Sequence, residues 1–454
     1  MPTNKSNKSV VTAEGHKIFL KDLLLIKSET FCMMPWVHFH TTPTGQGAPC
    51  CISNSCADNE GVGNSRDHSL SDLVNSPKMR RLRLDMIKGN KNPECAGCHK
   101  HDATGVPSFR TQSNKQWGEY FDDILATTDM NTGRIINFRM RYFDIRFSNI
   151  CNFKCRTCGS AFSSQWEQED LKSQSESGVP HYAMEIEKGN SKEFLRNVIQ
   201  QVPNFEVAYF AGGEPLITDE HYILLDEMIK TQNTDIQLRY NSNISNLKFK
   251  KKDIFTMWNM FSQPIKIYAS IDHIGDRAEY IRNGMTFNLV WDRINILLKE
   301  IPTLTIIIMS TYNALSVPRY KDLIKNVYKL KEEYHNPYRY YGSSIILDSS
   351  YLRHPEHQTV KILDNDWIKE VKEQAQLMDF YEQIRVGMDG FGFTDIEINK
   401  LNRIHDWMLV KEDEDSLKTN KKDFKIFVDE HDRRRGTNFV KTFPELEKFY
   451  HDIQ

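Results

Sequence analysis

No cysteine follows Cys158, and the whole chain has only 9 in 454 residues. It also lacks any run of about 18 apolar residues, the length a membrane-spanning helix needs. The opening residues, MPTNKSNKSVVTAEGHK, contain no apolar signal-peptide segment, and the KDLLLI that follows is short and flanked by charge. Charge of one sign is missing too: a net charge of -2 gives no general attraction to nucleic acid or to a membrane surface. Internal repeats and low-complexity tracts are absent. With 39% hydrophobic and 26% charged residues, the expectation is a soluble, cytoplasmic protein. In a reducing compartment an odd number of cysteines argues against a disulfide framework and for thiolate or metal chemistry. The chain is long enough for two or three domains and for a core that needs no covalent staples.

What cysteine there is comes in two groups. Six fall at 32, 50, 51, 56, 95 and 98, and three at 151, 155 and 158. Around the first group, VHFHTTPTGQGAPCC predicts two short strands joined by a turn at Pro43-Thr44-Gly45. A helix then starts at Ser76-Pro77, presents Met79, Leu82 and Met86 on one face and ends at Gly89. From about residue 140 strands and helices alternate. YFDIRFS (142–148), EVAYFAGG (206–213), IQLRYNSN (236–243), IKIYASID (265–272), LTIIIMST (304–311) and SSIILD (343–348) read as strands, with helical stretches between them, one from Ser191. Such repeats predict a parallel sheet, either doubly wound or a full or partial barrel, with chemistry at the C-terminal strand ends. The last hundred residues read as mostly helical, with KEDEDSLKTNKKD as a solvated loop and FKIFVDEHDRRRGTNF and FPELEKFY as helical segments.

CNFKCRTC holds the second group as Cys151-x3-Cys155-x2-Cys158. Three thiolates are one ligand short of a closed tetrahedral zinc site and one short of a fully ligated cubane. A [4Fe–4S] cluster held this way keeps one iron open to a small molecule. Cys32, Cys50, Cys95 and Cys98 form two pairs, which spacing alone assigns equally to zinc or to a second cluster.

CNFKCRTC resembles the signature loop of the radical S-adenosylmethionine (radical SAM) superfamily. FAGGEPL (210–216), YNSN (240–243) and ASIDHIGDRAEYIRNG (269–284) resemble elements at the next three strand ends of that family. The resemblance covers roughly residues 140 to 350. It implies a partial (β/α)6 barrel and a cluster on Cys151, Cys155 and Cys158 whose open iron chelates S-adenosylmethionine. It further implies reductive cleavage to methionine and a 5′-deoxyadenosyl radical, which abstracts hydrogen from a substrate. By the same likeness Gly212, Gly213, Glu214 and Pro215 approach the cofactor, with Glu214 on its ammonium group. Asn243 lies near the nucleoside, Ser270 and Asp272 line the ribose side, and Arg282 pairs with the carboxylate. One position departs from the pattern: Thr157 stands where the family commonly has an aromatic residue near the adenine.

FCMMPWVHFHTTPTGQGAPCC is similar to the first element of the SPASM and twitch auxiliary-cluster domains, with Cys32, Gly45 and Cys50 at the matching positions. The implied auxiliary [4Fe–4S] cluster sits on Cys32, Cys50, Cys95 and Cys98. Cys51 competes with Cys50, Cys56 reads as a bystander, and His99 and His101 as solvated loop histidines. The usual order puts this domain after the barrel, whereas here it precedes it. The expected architecture is α/β: a twitch-like domain over 1–135, the radical SAM partial barrel over 136–350 and a helical extension over 351–454.

Expected partners are S-adenosylmethionine, a peptide, protein or small-molecule substrate, and an electron donor such as flavodoxin or ferredoxin. A fully ligated auxiliary cluster has no site for substrate, so its implied role is electron transfer, which suits oxidative or cross-linking chemistry. No catalytic residue is assigned. Alternatives are a nucleotide or sugar substrate, or a non-enzymatic iron–sulfur or zinc protein that senses redox state or binds a partner.

Overall fold

The computed structural model describes residues 9–11, 17–56, 61–105, 107–177, 192–335, 345–385 and 391–453. Eight strands form its main sheet: β1 (His38–Thr41), β2 (Gly47–Ala48), β3 (Tyr142–Ile145), β4 (Val207–Phe210), β5 (Gln237–Ser242), β6 (Lys266–Ser270), β7 (Thr305–Tyr312) and β8 (Ile345–Tyr351). Their spatial order is β8-β7-β6-β5-β4-β3-β1-β2. Every pair is parallel except β1 with β2. From β3 to β8 spatial order follows chain order, without the reversal that marks a doubly wound sheet. All six strands expected after residue 140 are present. Ser191 and residues 343–344 lie outside the described residues.

Helices fill the crossovers, as parallel pairing requires. They include α1 (Pro77–Lys88) ahead of β3, α2 (Ser164–Ser177) and α3 (Lys192–Ile199) before β4, and α4 (Asp219–Lys230) before β5. α5 (Gly275–Ile281) and α6 (Phe287–Glu300) precede β7, and α7 (Tyr320–Glu333) precedes β8. α8 (Asp366–Arg385), α9 (Asp395–Leu409) and α10 (Glu414–Arg435) make up the C-terminal part.

Alternation along the strands divides the sheet into two chemically different faces. Phe143, Phe210, Tyr240, Ile267 and Ala269 are buried on the helix-covered face. The other face carries Tyr142, Asp144, Tyr209, Arg239, Asn241, Lys266, Tyr268 and Ser270, with Tyr209 beside Arg239, Arg239 beside Lys266 and Asn241 beside Tyr268. This polar face opens at the C-terminal strand ends into the cavity described below.

The segment read as a separate N-terminal domain hydrogen-bonds into this sheet. β1 pairs with β3, placing His38 beside Tyr142 and His40 beside Asp144. The expected turn between β1 and β2 is present, with Gly45 at φ +84° and its amide donating to Thr42 O at 2.9 Å. A side chain there would meet Asn64 Oδ1 at 2.6 Å, so glycine is required for space as well as backbone angle. α1 also forms as the sequence predicts, with Ser76 Oγ capping the Met79 amide and Gly89 closing the helix at φ +79°.

KEDEDSLKTNKKD is not a loop. Asp413 caps it by accepting from the Ser416 amide, and from Glu414 it is the start of the 22-residue α10. Its apolar contacts begin only at Phe424, continuing through Val428 and His431, so the first turns carry no buried stripe to betray a helix.

Candidate functional site: two cysteine sets and the cavity between strand ends

The cysteine loop leaves β3 and is pinned at several of its backbone carbonyls. Ser163 Oγ donates to Phe153 O at 2.6 Å, Arg435 Nη1 to Lys154 O at 3.0 Å and Trp166 Nε1 to Cys155 O at 2.7 Å. A two-residue antiparallel ladder pairs Cys155 with Arg282 and Lys154 with Asn283. Phe153, 2% exposed, anchors the loop in the core.

Cys151, Cys155 and Cys158 line a cavity of about 240 Å³ whose wall also includes Gly212, Gly213, Glu214, Asn243, Ser270 and Arg282. Residues 100 positions apart and more in the chain thus meet at one strand-end opening. Burial pushes all three thiols up; Cys155 reaches about 11, with Arg282 pulling the other way. The Phe153 amide donates to Cys151 Sγ at 3.5 Å and Arg282 Nη1 to Cys155 Sγ at 3.8 Å. Clustered thiols that resist ionisation are held as thiolates only when a cation compensates them. This donor set fits a metal cluster.

The glycine pair meets the cysteine loop itself. A Cβ on Gly213 would lie 2.1 Å from Ile150 O, and the Glu214 amide donates to that same carbonyl at 2.7 Å. Gly212 sits at φ +130°, a conformation suited to glycine. Glu214 is 1% exposed and its carboxylate accepts from Ser242 Oγ at 2.8 Å, Asn243 N at 2.7 Å and Leu216 N at 3.1 Å. Burial raises its pKa to about 7 despite these donors. Pro215 is buried behind the cavity, opening a short 3-10 turn over Pro215–Ile217.

Asn243 donates to Asn152 Oδ1 at 3.0 Å, tying the end of β5 to the cysteine loop. Asp272 is fully buried and outside the cavity wall. It pairs with Arg282 through contacts of 2.9 Å to Nη2 and to Nε, and accepts the Thr311 amide at 2.7 Å. Arg282 caps α5 and is 8% exposed, so it is no surface helix arginine. Burial works against its charge, and Asp272 and Cys155 more than offset that. Thr157 also faces the cavity.

Cys32, Cys50, Cys95 and Cys98 line a second, smaller cavity with Met34, Leu82, Met86 and Phe109. Cys51 is not on that wall; it feels the charges of Asp144 and Arg146. Cys56 donates to Cys50 O at 3.2 Å. Burial raises the thiols of Cys32, Cys50, Cys95 and Cys98, and the neighbouring thiolates of the set raise Cys32, Cys50 and Cys95 further, Cys95 to about 12. Four inward thiols around one apolar-walled space suit a fully ligated cluster. His99 and His101 lie outside that wall.

Two arrangements had no sequence signal strong enough to find. Arg156, inside the cysteine loop, is fully buried, stacks over the Tyr280 ring at 3.4 Å and donates to Asp432 Oδ1 at 3.0 Å and Thr437 Oγ1 at 2.8 Å. Arg435 reaches Glu169 at 2.9 Å. The C-terminal helix therefore clamps the loop from outside. The second is a buried group of His38, His40 and Asp144; the alternation in HFH puts both rings on one face and was the available clue.

Residues 32–99 match the family model of the SPASM iron–sulfur cluster-binding domain. No curated protein matches. Among solved structures, the chain is similar to native anSMEcpe with bound AdoMet and Cp18Cys peptide, at 15% identity and a TM-score of 0.36, over 56% of this chain and 62% of that one. It is similar to Streptococcus suis SuiB bound to precursor peptide SuiA, at 13% and 0.36, over 68% and 64%. A third is TYW1 with a lysine-pyruvate adduct bound, at 14% and 0.27, over 53% and 71%. The chain spans about three fifths of the length of the first of these, and at such TM-scores the likenesses carry no weight. The SPASM match, confined to residues 32–99, includes β1 and β2 of the main sheet. The cysteine loop and the GGEP element resemble those of the radical SAM superfamily. Among the described residues no helix is long and apolar enough to cross a membrane.

Proposed function

We propose that this chain is a radical SAM enzyme: a partial-barrel protein that binds a [4Fe–4S] cluster on Cys151, Cys155 and Cys158 and S-adenosylmethionine beside it. The observation that carries the reading is the meeting of those three thiols with Gly212–Glu214, Asn243, Ser270 and Arg282 around one cavity. When bound, the cluster and S-adenosylmethionine supply reductive cleavage and a 5′-deoxyadenosyl radical. The protein supplies position and charge. Asp272 fixes the Arg282 fork at the cavity wall, where a guanidinium is suited to a carboxylate. Glu214, buried and near neutral at its pKa of about 7, gains a full negative charge when an ammonium group approaches. The clamped loop and Phe153 keep bulk water from the inner side of the thiols.

Cys32, Cys50, Cys95 and Cys98 hold the auxiliary cluster, with electron transfer as its role and oxidation or cross-linking of a peptide or small molecule as the reaction class. The SPASM match supports the cluster, and four thiols on one wall, enough to ligate all four irons, support its lack of a substrate position. An electron donor of the flavodoxin or ferredoxin kind serves the first cluster.

The test is anaerobic purification followed by iron and sulfide counting, then incubation with dithionite and S-adenosylmethionine. About eight irons per chain and release of 5′-deoxyadenosine are expected. Joint replacement of Cys151, Cys155 and Cys158 by Ala leaves about four irons and abolishes the release. Bound zinc without cofactor cleavage would sink the proposal.

A further inference from the structure

Beneath the cavity, on the polar face of the sheet, lie three side chains with metal-ligand chemistry and almost no solvent. His38 is 0% exposed, His40 2% and Asp144 0%. One ligand atom from each falls within 4.8 Å of the other two. The parallel register of β1 and β3 builds this group: His38 stands beside Tyr142 and His40 beside Asp144, two residues on along both strands.

Both rings are oriented by the neighbouring backbone. His38 Nδ1 lies 2.9 Å from Tyr142 O, and His40 Nδ1 lies 3.0 Å from Asp144 O. A carbonyl accepts only, so each Nδ1 carries the proton and each Nε2 keeps its lone pair. This backbone-fixed tautomer is the one that ligating histidines use. His38 Nε2 is buried without a hydrogen-bond partner, as are both carboxylate oxygens of Asp144. His40 Nδ1 lies 3.1 Å from Oδ2 and Arg146 Nε 3.6 Å from Oδ1. Buried polar atoms are nearly always satisfied, so the partnerless His38 Nε2, with a buried carboxylate and a second imidazole in the same group, points to a cation as their common partner.

We propose that His38, His40 and Asp144 form a site for a divalent cation, with zinc as the ion of choice for two neutral imidazoles and one carboxylate. Metal–ligand bonds of about 2.0–2.2 Å are reached by small side-chain rotations from the observed spacing. Three protein ligands leave a further coordination position open. Asp144 precedes by two residues Arg146, which lines the cysteine-loop cavity, so the cation sits under that cavity's floor. The site involves none of the seven cluster cysteines and stands whether or not the chain cleaves S-adenosylmethionine.

The test uses the full chain, purified with its clusters, dialysed against Zn²⁺ and then against metal-free buffer. Zinc is counted against acid-labile sulfide, and its surroundings are read by zinc-edge X-ray absorption. About one zinc per chain with nitrogen and oxygen neighbours at ~2.0 Å is the expected result. His38→Gln and Asp144→Asn each lose that zinc while sulfide is unchanged. Retention of zinc in both variants, or sulfur neighbours at ~2.3 Å in the unaltered protein, would overturn the site. Absence of any retained zinc in the unaltered protein would overturn it too, and that reading needs no variant to fold.

Discussion

Gly213 is the residue on which the cavity's geometry turns. A methyl group there would stand 2.1 Å from Ile150 O, one position before the first thiol of the loop. Gly213→Ala therefore pushes the loop away from β4, at a cost of about 1–3 kcal/mol in stability by chemical denaturation. Iron retention falls with it, while the thiols of the N-terminal set keep theirs. Glu214, its neighbour, sets a pH dependence. Its folded pKa of about 7 lies above the unfolded value near 4.5, so the folded state prefers the protonated acid. Stability of the cluster-free protein is thus greatest below about pH 4.5 on this account and declines as pH rises through 7. The full decline is about 3 kcal/mol at most. Unfolding free energies measured from pH 5 to pH 8 will show a slope that Glu214→Gln removes.

At the scale of elements, what was legible in the sequence follows from periodicity and punctuation. α1 was readable from Ser76, Pro77 and Gly89 because caps are local, and β5 from IQLRYN because alternation is local. α10 was not, since its first turns bury nothing and charged residues alone do not distinguish a helix from a loop. The three thiols and the glycine pair were legible as motifs, but their contacts were not. That Asp272 would grip Arg282, and Glu214 the end of β5, depends on crossings the chain makes only when folded. The clamp was the least legible of all. Arg156 and Asp432 are joined across five strands of the parallel sheet and the helices after them, with nothing in either neighbourhood to announce the pairing. Asp432→Ala leaves a fully buried guanidinium short of its charged partner, which costs about 2–3 kcal/mol given Asp432's partial exposure. Loss of iron from the three-cysteine loop, with the N-terminal set unaffected, is the accompanying outcome in a sulfide and iron count.

For the molecule as a whole, the parallel pairing of β1 with β3 joins the SPASM segment to the strands that follow it. Residues 1–135 produced alone leave the β3-facing edge of β1 unpaired and uncover Phe39, which is fully buried in the intact chain. That fragment is expected to aggregate or stay unfolded, judged by circular dichroism and size exclusion. Recovery of a monomeric, folded, iron-loaded fragment would instead establish the segment as independent.

The clamp also bears on the order in which the protein is made. Arg156 finds Asp432 and Thr437 only after some 276 further residues have been made. Until then the Arg156 guanidinium in the middle of the thiol loop lacks its carboxylate partner. The three-cysteine site therefore waits for residues 432–437, whereas the set from Cys32 to Cys98 waits only for β3, which pairs with β1.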